Sequence, residues 1–126
     1  MTTPPHNVLV VDDEYASLEV LALMLTGEGF QVYTANDGLE ALQRLEQTPI
    51  AVVITDYKMP KMDGSQLCLR MLGDARFENI PVIFTSATYR QDVHRPKNVA
   101  AFFYKPLLFK EVLSALQRIL KSASSP

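Results

Sequence analysis

Ile54–Gly64 reads I-T-D-Y-K-M-P-K-M-D-G, and the reading of Asp56 within it decides the fold. Asp56 stands where the apolar run Ala51–Thr55 stops, which places a carboxylate at the carboxyl end of a buried strand. Three other segments end in the same way. Val8–Val11 runs into Asp12 and Asp13, Val82–Thr85 into Ser86, and Ala101–Tyr104 into Lys105. In open parallel α/β sheets, ligands bind in the crevice outside the carboxyl ends of the strands. The pattern therefore predicts that these acids, hydroxyl and ammonium meet at one site.

The flanking sequence supplies the remaining layers. Val8–Val11 is β-branched and apolar on both faces, as expected of a central parallel strand covered by helices on each side. A helix is expected from Glu14 to Glu28, with Leu18, Leu21, Ala22 and Leu25 as its core stripe and Gly27 and Gly29 as its stop. Val20, Leu23 and Met24 project to its other side and form either a partly covered surface or a contact face. Gln31–Thr34 suits an edge strand, and Asn36 or Asp37 can cap a helix over Gly38–Gln47. Thr48-Pro49 breaks the chain before the third strand, and Pro60 with Asp63-Gly64 shapes the loop after it. A third helix takes Ser65–Leu72. The last helix starts after Pro106, with Leu108, Val112, Leu116, Ile119 and Leu120 facing the sheet and Lys110, Glu111, Gln117, Arg118 and Lys121 facing water. Strand–helix alternation also requires a fourth crossover helix in Thr88–Val99. That segment has few apolar positions at helical spacing and contains Pro96, so the fourth helix is expected to be short or irregular.

A chain of 126 residues with 48% apolar and 21% charged residues is one globular domain, with no second domain required. A net charge of −2 gives no general attraction for nucleic acid or anionic lipid. The single cysteine, Cys68, cannot form an internal disulfide, and a helical position favours a small packing role over a reactive thiol. Met1–Asn7 lacks a signal-peptide pattern, and no apolar run approaches the ~18 residues of a membrane span, so the cytoplasm is the expected compartment. Residues 1–6 read as a lead-in, 7–121 as the domain, and 122–126 as a tail or the start of a linker. His6 and His94 show no ligand spacing and are given no role.

Carboxylates brought together repel one another and require a cation. Oxygen ligands from Asp12, Asp13 and Asp56 suit a hard divalent ion, and an incomplete carboxylate set finished by water and phosphate oxygens suits Mg²⁺. Lys105 adds a positive charge and Ser86 a donor, which together describe a site for a transferring phosphoryl group. An aspartate there can act as nucleophile and form an acyl phosphate.

With its strand-terminal acid pair, I-T-D-Y-K-M-P-K-M-D-G, F-T-S-A and Y-K-P, the chain resembles the receiver domain of two-component response regulators over residues 7–121. The resemblance implies a flavodoxin-like, doubly wound, five-stranded parallel sheet in the order 2-1-3-4-5 with five helices. It implies Asp56 as phosphoacceptor, with Mg²⁺ held by Asp12, Asp13, Asp56 and the backbone carbonyl of Lys58. Ser86 would contact the phosphoryl group, Lys105 would pair with its oxygens, and the Lys105–Pro106 bond would be cis. Phe102 takes the aromatic switch position, its ring moving inward when Ser86 is drawn to the phosphoryl group. The implied protein is a signalling switch with no independent substrate. Its partners are a sensor histidine kinase or phosphotransfer protein, docked on Val20, Leu23 and Met24, and an output domain or downstream protein, with a homodimer as a further assembly. The crossover from Ser86 to Lys105 is shorter than the family usually spends, which predicts signal output through a face other than the usual helix 4–strand 5–helix 5 surface.

Each assignment has a bland rival. Asp13 could cap the first helix, Asp56 could be a loop carboxylate, Pro106 could open a helix, and Phe102 could be simple core. Two other functional classes compete. A phosphate-independent interaction module would retain the fold and lose an acid or the lysine, and none is lost. A haloacid-dehalogenase-like phosphohydrolase would carry a second aspartate two residues after the first, where this chain has Lys58. A nucleotide switch would need a glycine-rich phosphate loop, which is missing.

Overall fold

The computed structural model describes residues 6–87 and 95–124. In chain order the elements are β1 (Asn7–Val11), α1 (Tyr15–Gly27), β2 (Gln31–Ala35), α2 (Gly38–Gln47), β3 (Val52–Asp56), α3 (Gly64–Leu72), β4 (Val82–Ser86), β5 (Val99–Tyr104) and α4 (Phe109–Ser124). The five strands form one parallel sheet in the order β2-β1-β3-β4-β5. This is the flavodoxin-like, doubly wound arrangement, and the order reverses between β1 and β3.

Alternation along the strands divides the interior into two cores. Leu9, Val11, Val53, Val82 and Phe84 face α2 and α3, where they meet Ala41, Leu45, Leu67, Cys68 and Met71. Val8, Val10, Val52, Ile54 and Ile83 face the other way, toward Leu18, Leu21 and Leu25 of α1 and Val112, Leu116 and Leu120 of α4. Successive strand side chains point to opposite faces, so strands apolar at every position must be covered twice. The expectation for Val8–Val11 therefore holds, and β1, β3 and β4 form the buried centre of the sheet. Burial pushes the Cys68 thiol up to about 12, consistent with its packing role.

Capping fixes where two helices begin. Asp37 accepts a hydrogen bond from the Glu40 amide at 2.8 Å, which selects Asp37 over Asn36 as the cap of α2. Asp63 and Gln66 form a reciprocal capping box at the start of α3. At the end of α1, Gly29 adopts φ of 96° while the Phe30 amide donates back to Leu25, which turns the chain into β2.

Two expectations change. Leu108 is 65% exposed rather than part of the core stripe, because α4 starts only at Phe109 and Leu108 lies in the preceding turn, its carbonyl accepting from Glu111 and Val112. Leu107 and Phe109 pack against the core instead. The five-helix count also differs: the described residues contain four helices. Of the short fourth crossover helix expected in Thr88–Val99, residues 88–94 lie outside the described residues. Residues 95–98 form no helix, and Val99 already opens β5. There the Val99 amide donates to Pro96 and the Asn98 carbonyl accepts from Val82, so the chain is held as a turn against the start of β4.

Candidate functional site at the sheet's carboxyl edge

The sheet register delivers the expected side chains to one place. Asp12 leaves β1 with its amide still donating to Ala35, and β1 and β3 are adjacent, so Asp12 and Asp56 face each other across the point where strand order reverses. The Tyr57 amide donates to Thr85 at 2.7 Å and the Lys105 amide to Ser86 at 2.7 Å, which carries the β3–β4 and β4–β5 pairing to the edge of the site. Asp12, Asp56 and Ser86 are buried, Lys105 is half-buried, and Asp13 is exposed. Carboxylate oxygens of Asp12, Asp13 and Asp56 lie within 4.8 Å of one another.

Lys105 Nζ donates to Asp12 Oδ2 at 2.7 Å and lies 3.5 Å from Asp56 Oδ2. The other oxygen of Asp12, Oδ1, accepts from the Glu14 amide at 2.9 Å. Burial raises the Asp56 carboxyl to about 6, helped by the neighbouring Asp12 and Asp13 charges and opposed by Lys105. Burial alone would push the Lys105 ammonium down, but its bonds to Asp12 and Asp56 outweigh this and its pKa is raised. The pair thus stays ionised at neutral pH. Three carboxylates against one ammonium leave two negative charges, the complement of a divalent cation. The all-oxygen donor set fits a hard ion such as Mg²⁺.

The bland rivals fare differently. The N-cap of α1 is Glu14, with no side-chain cap bond, so Asp13 does not serve as its cap. Asp56 ends a strand and is not a loop carboxylate. Pro106 opens no helix, since α4 begins at Phe109, and the Lys105–Pro106 bond is cis as expected. Lys58 is an exposed loop residue two positions beyond Asp56. Phe102 is half-buried, packing edge-on against Phe84 at 6.1 Å and beside Tyr104 at 4.9 Å.

Val20, Leu23 and Met24 are exposed on α1 at 58%, 74% and 41%. A groove of about 600 Å³ runs beside them, and its lining includes Val20, Met24, Leu107, Phe109, Asp12 and Lys105, so it joins the apolar face to the acidic site. Sequence reasoning missed this groove because residues far apart in the chain form its two walls. It also missed the role of Gly64. A Cβ there would lie 2.6 Å from the Asp56 carbonyl oxygen and 3.2 Å from Tyr57 Cα, so Asp63-Gly64 does more than turn the chain: it lets α3 start against the Asp56 backbone. Arg95, whose guanidinium lies 4.7 Å over the Phe102 ring, was equally invisible in an unpatterned stretch.

A doubly wound α/β domain with three acids and a lysine at its switch point defines the class, and comparison with known proteins gives the family. Residues 8–117 match the response regulator receiver domain, and the chain belongs to that family. It is 32% identical over 124 residues to the transcriptional regulatory protein CpxR homolog of Haemophilus influenzae, covering 95% of this chain and 52% of that protein. It is 43% identical over 67 residues to the transcriptional regulatory protein GlrR of Escherichia coli, covering 53% of this chain and 15% of that protein. The chain therefore spans about half or less of these relatives. Among solved structures it resembles the signal receiver domain of a signal transduction histidine kinase from Syntrophus aciditrophicus, with a TM-score of 0.83 and 26% identity over 96% of this chain and 94% of that one. Receiver domains belong to two-component systems, and no described helix is long and apolar enough to cross a membrane.

Proposed function

We propose that the domain is a phosphoryl-accepting switch in which Asp56 takes a phosphoryl group from a phosphohistidine of a sensor kinase or phosphotransfer protein. The observation that carries this reading is Lys105 Nζ set between Asp12 and Asp56, with the three acids within 4.8 Å. Asp12, Asp13 and Asp56, with the Lys58 carbonyl, would hold Mg²⁺. When bound, the ion supplies charge neutralisation for the phosphoryl oxygens. An Asp56 Oδ atom attacks phosphorus, the phosphorus–nitrogen bond of the donor breaks, and the imidazole leaves and regains a proton from solvent. Lys105 shifts from its carboxylate partners to a phosphoryl oxygen, and the Ser86 hydroxyl donates to another. Displacement of Ser86 opens space toward which Phe102 turns. The phosphoryl group favours that state only by binding it better, so phosphorylation shifts a pre-existing equilibrium.

Burial of Asp56 favours this reading over a phosphate-independent module. A carboxylate whose pKa is raised to about 6 is held ionised at neutral pH against its surroundings, an arrangement that a bound cation relieves. The donor docks on the α1 face of Val20, Leu23 and Met24, beside the groove leading to Lys105. Output passes to a further domain, a separate protein or a second copy of the chain, through a face other than the usual helix 4–strand 5–helix 5 surface, and the cytoplasm is the compartment where these steps run.

The chemistry is tested by borohydride trapping after incubation with a small phosphoryl donor and Mg²⁺, because hydride reduces an acyl phosphate to an alcohol that peptide mass spectrometry maps. Conversion at Asp56 supports the proposal, and conversion at another aspartate overturns the assignment. For docking, Val20→Lys with Met24→Lys should slow transfer from the cognate kinase and leave small-donor phosphorylation intact; unchanged kinase transfer refutes that surface.

A further inference from the structure

We infer that Arg95 is a latch on Phe102, biasing the domain toward its resting state. The inference rests on the reading of Phe102 as the ring that moves. Phe102 pairs in register with buried Phe84, and the edge contact between their rings supports its inner side. The Arg95 guanidinium carbon lies 4.7 Å from the ring centroid, in the range of a cation–aromatic attraction, and Arg95 is itself exposed. Phe102 thus sits among the buried Phe84 ring, the neighbouring Tyr104 ring at 4.9 Å and a surface cation.

Two features make this contact a control point. Phenylalanine has no hydroxyl, so no side-chain hydrogen bond anchors its ring in either position, and its contacts with Phe84, Tyr104 and Arg95 hold it in the resting one. The chain that follows Arg95 is also held in place. The neighbouring Pro96 and Asn98 are buried, the Val99 amide donates to Pro96 at 3.0 Å, the Asn98 carbonyl accepts from Val82 at 2.9 Å, and Asn98 Nδ2 donates to the Cys68 carbonyl at 3.3 Å. A guanidinium carried on an anchored turn does not follow a ring that turns toward Ser86, so switching breaks the stack. Arg95 stabilises the resting arrangement without touching the phosphoryl site.

The sign of the predicted effect separates this role from simple electrostatics. Removing a positive charge should weaken binding of an anion nearby, whereas removing a latch on the resting state should strengthen binding of any ligand that favours the switched state. The probe is beryllofluoride with Mg²⁺, followed by NMR at the Ser86 amide. Arg95→Gln should tighten apparent affinity about two- to fivefold, the size of a partly exposed cation–aromatic contact. In a Phe102→Leu background the same substitution should have no effect. Unchanged or weaker affinity, an equal gain in the Phe102→Leu background, or a shift in thermal stability with no shift in affinity would each overturn the latch. Failure of the wild-type protein to bind the probe would instead remove the switch reading, and the latch with it.

Discussion

Replacing Asp56 with asparagine should stabilise the metal-free protein at neutral pH. Asp56 is 8% exposed, and its carboxyl rises from 3.8 to about 6, chiefly through burial and then through Asp12 and Asp13, with Lys105 only partly compensating. A shift of about two units at ~1.4 kcal/mol per unit means that ionised Asp56 costs the fold about 3 kcal/mol. The sign follows from proton binding: the folded state holds this proton more tightly than the unfolded chain, so stability falls as pH rises from about 4 to about 6 and is level above. The substituted amide cannot ionise but forfeits the attraction of Lys105, so the net gain at pH 7 should be about 1–3 kcal/mol, falling to about half at pH 5. Urea unfolding in chelator at both pH values measures this. Saturating Mg²⁺ should then raise the wild type more than the variant, because it binds only the folded acid cluster. A variant less stable than wild type at pH 7, or a gain that does not grow between pH 5 and pH 7, would refute the account of Asp56 as a carboxylate held against its burial.

Three further outcomes follow from other contacts. Gly64→Ala should cost about 1–3 kcal/mol, since its Cβ would meet backbone 2.6 Å away, and should perturb the amide resonances of Asp56 and Tyr57 before those of α4. Lys105→Met leaves Asp12 and Asp56 without their cation and should cost about 1–3 kcal/mol at pH 7 by urea unfolding, with a smaller loss at pH 5 where Asp56 is protonated. Leu116→Ala empties a fully buried position between α4 and the sheet and should lower stability by about 2–5 kcal/mol without altering Mg²⁺ affinity, as judged by titration.

Where local chemistry dictates geometry, the sequence was readable. Each strand that ends in a polar residue is apolar at every position before it, or nearly so, and the site residues could be located from the runs Val8–Val11, Ala51–Thr55 and Val82–Thr85. The Gly38–Gln47 helix matched end to end, because an Asp cap and a proline-containing break bracket it. Strand order was not written in any periodicity and came from the resemblance. Leu108 misled because it lies in phase with Val112 and Leu116, yet the helix begins one residue later and the turn directs it outward. The groove beside α1, the backbone approach at Gly64 and the Arg95–Phe102 stack arise from contacts between distant segments, which no local pattern encodes.

The most direct test of the central claim is the intact mass of the protein after incubation with acetyl phosphate, with and without Mg²⁺, for wild type and Asp56→Ala. A single phosphoryl addition that requires Mg²⁺ and is absent from Asp56→Ala is expected. An addition that persists in the variant or forms equally well in chelator would contradict it.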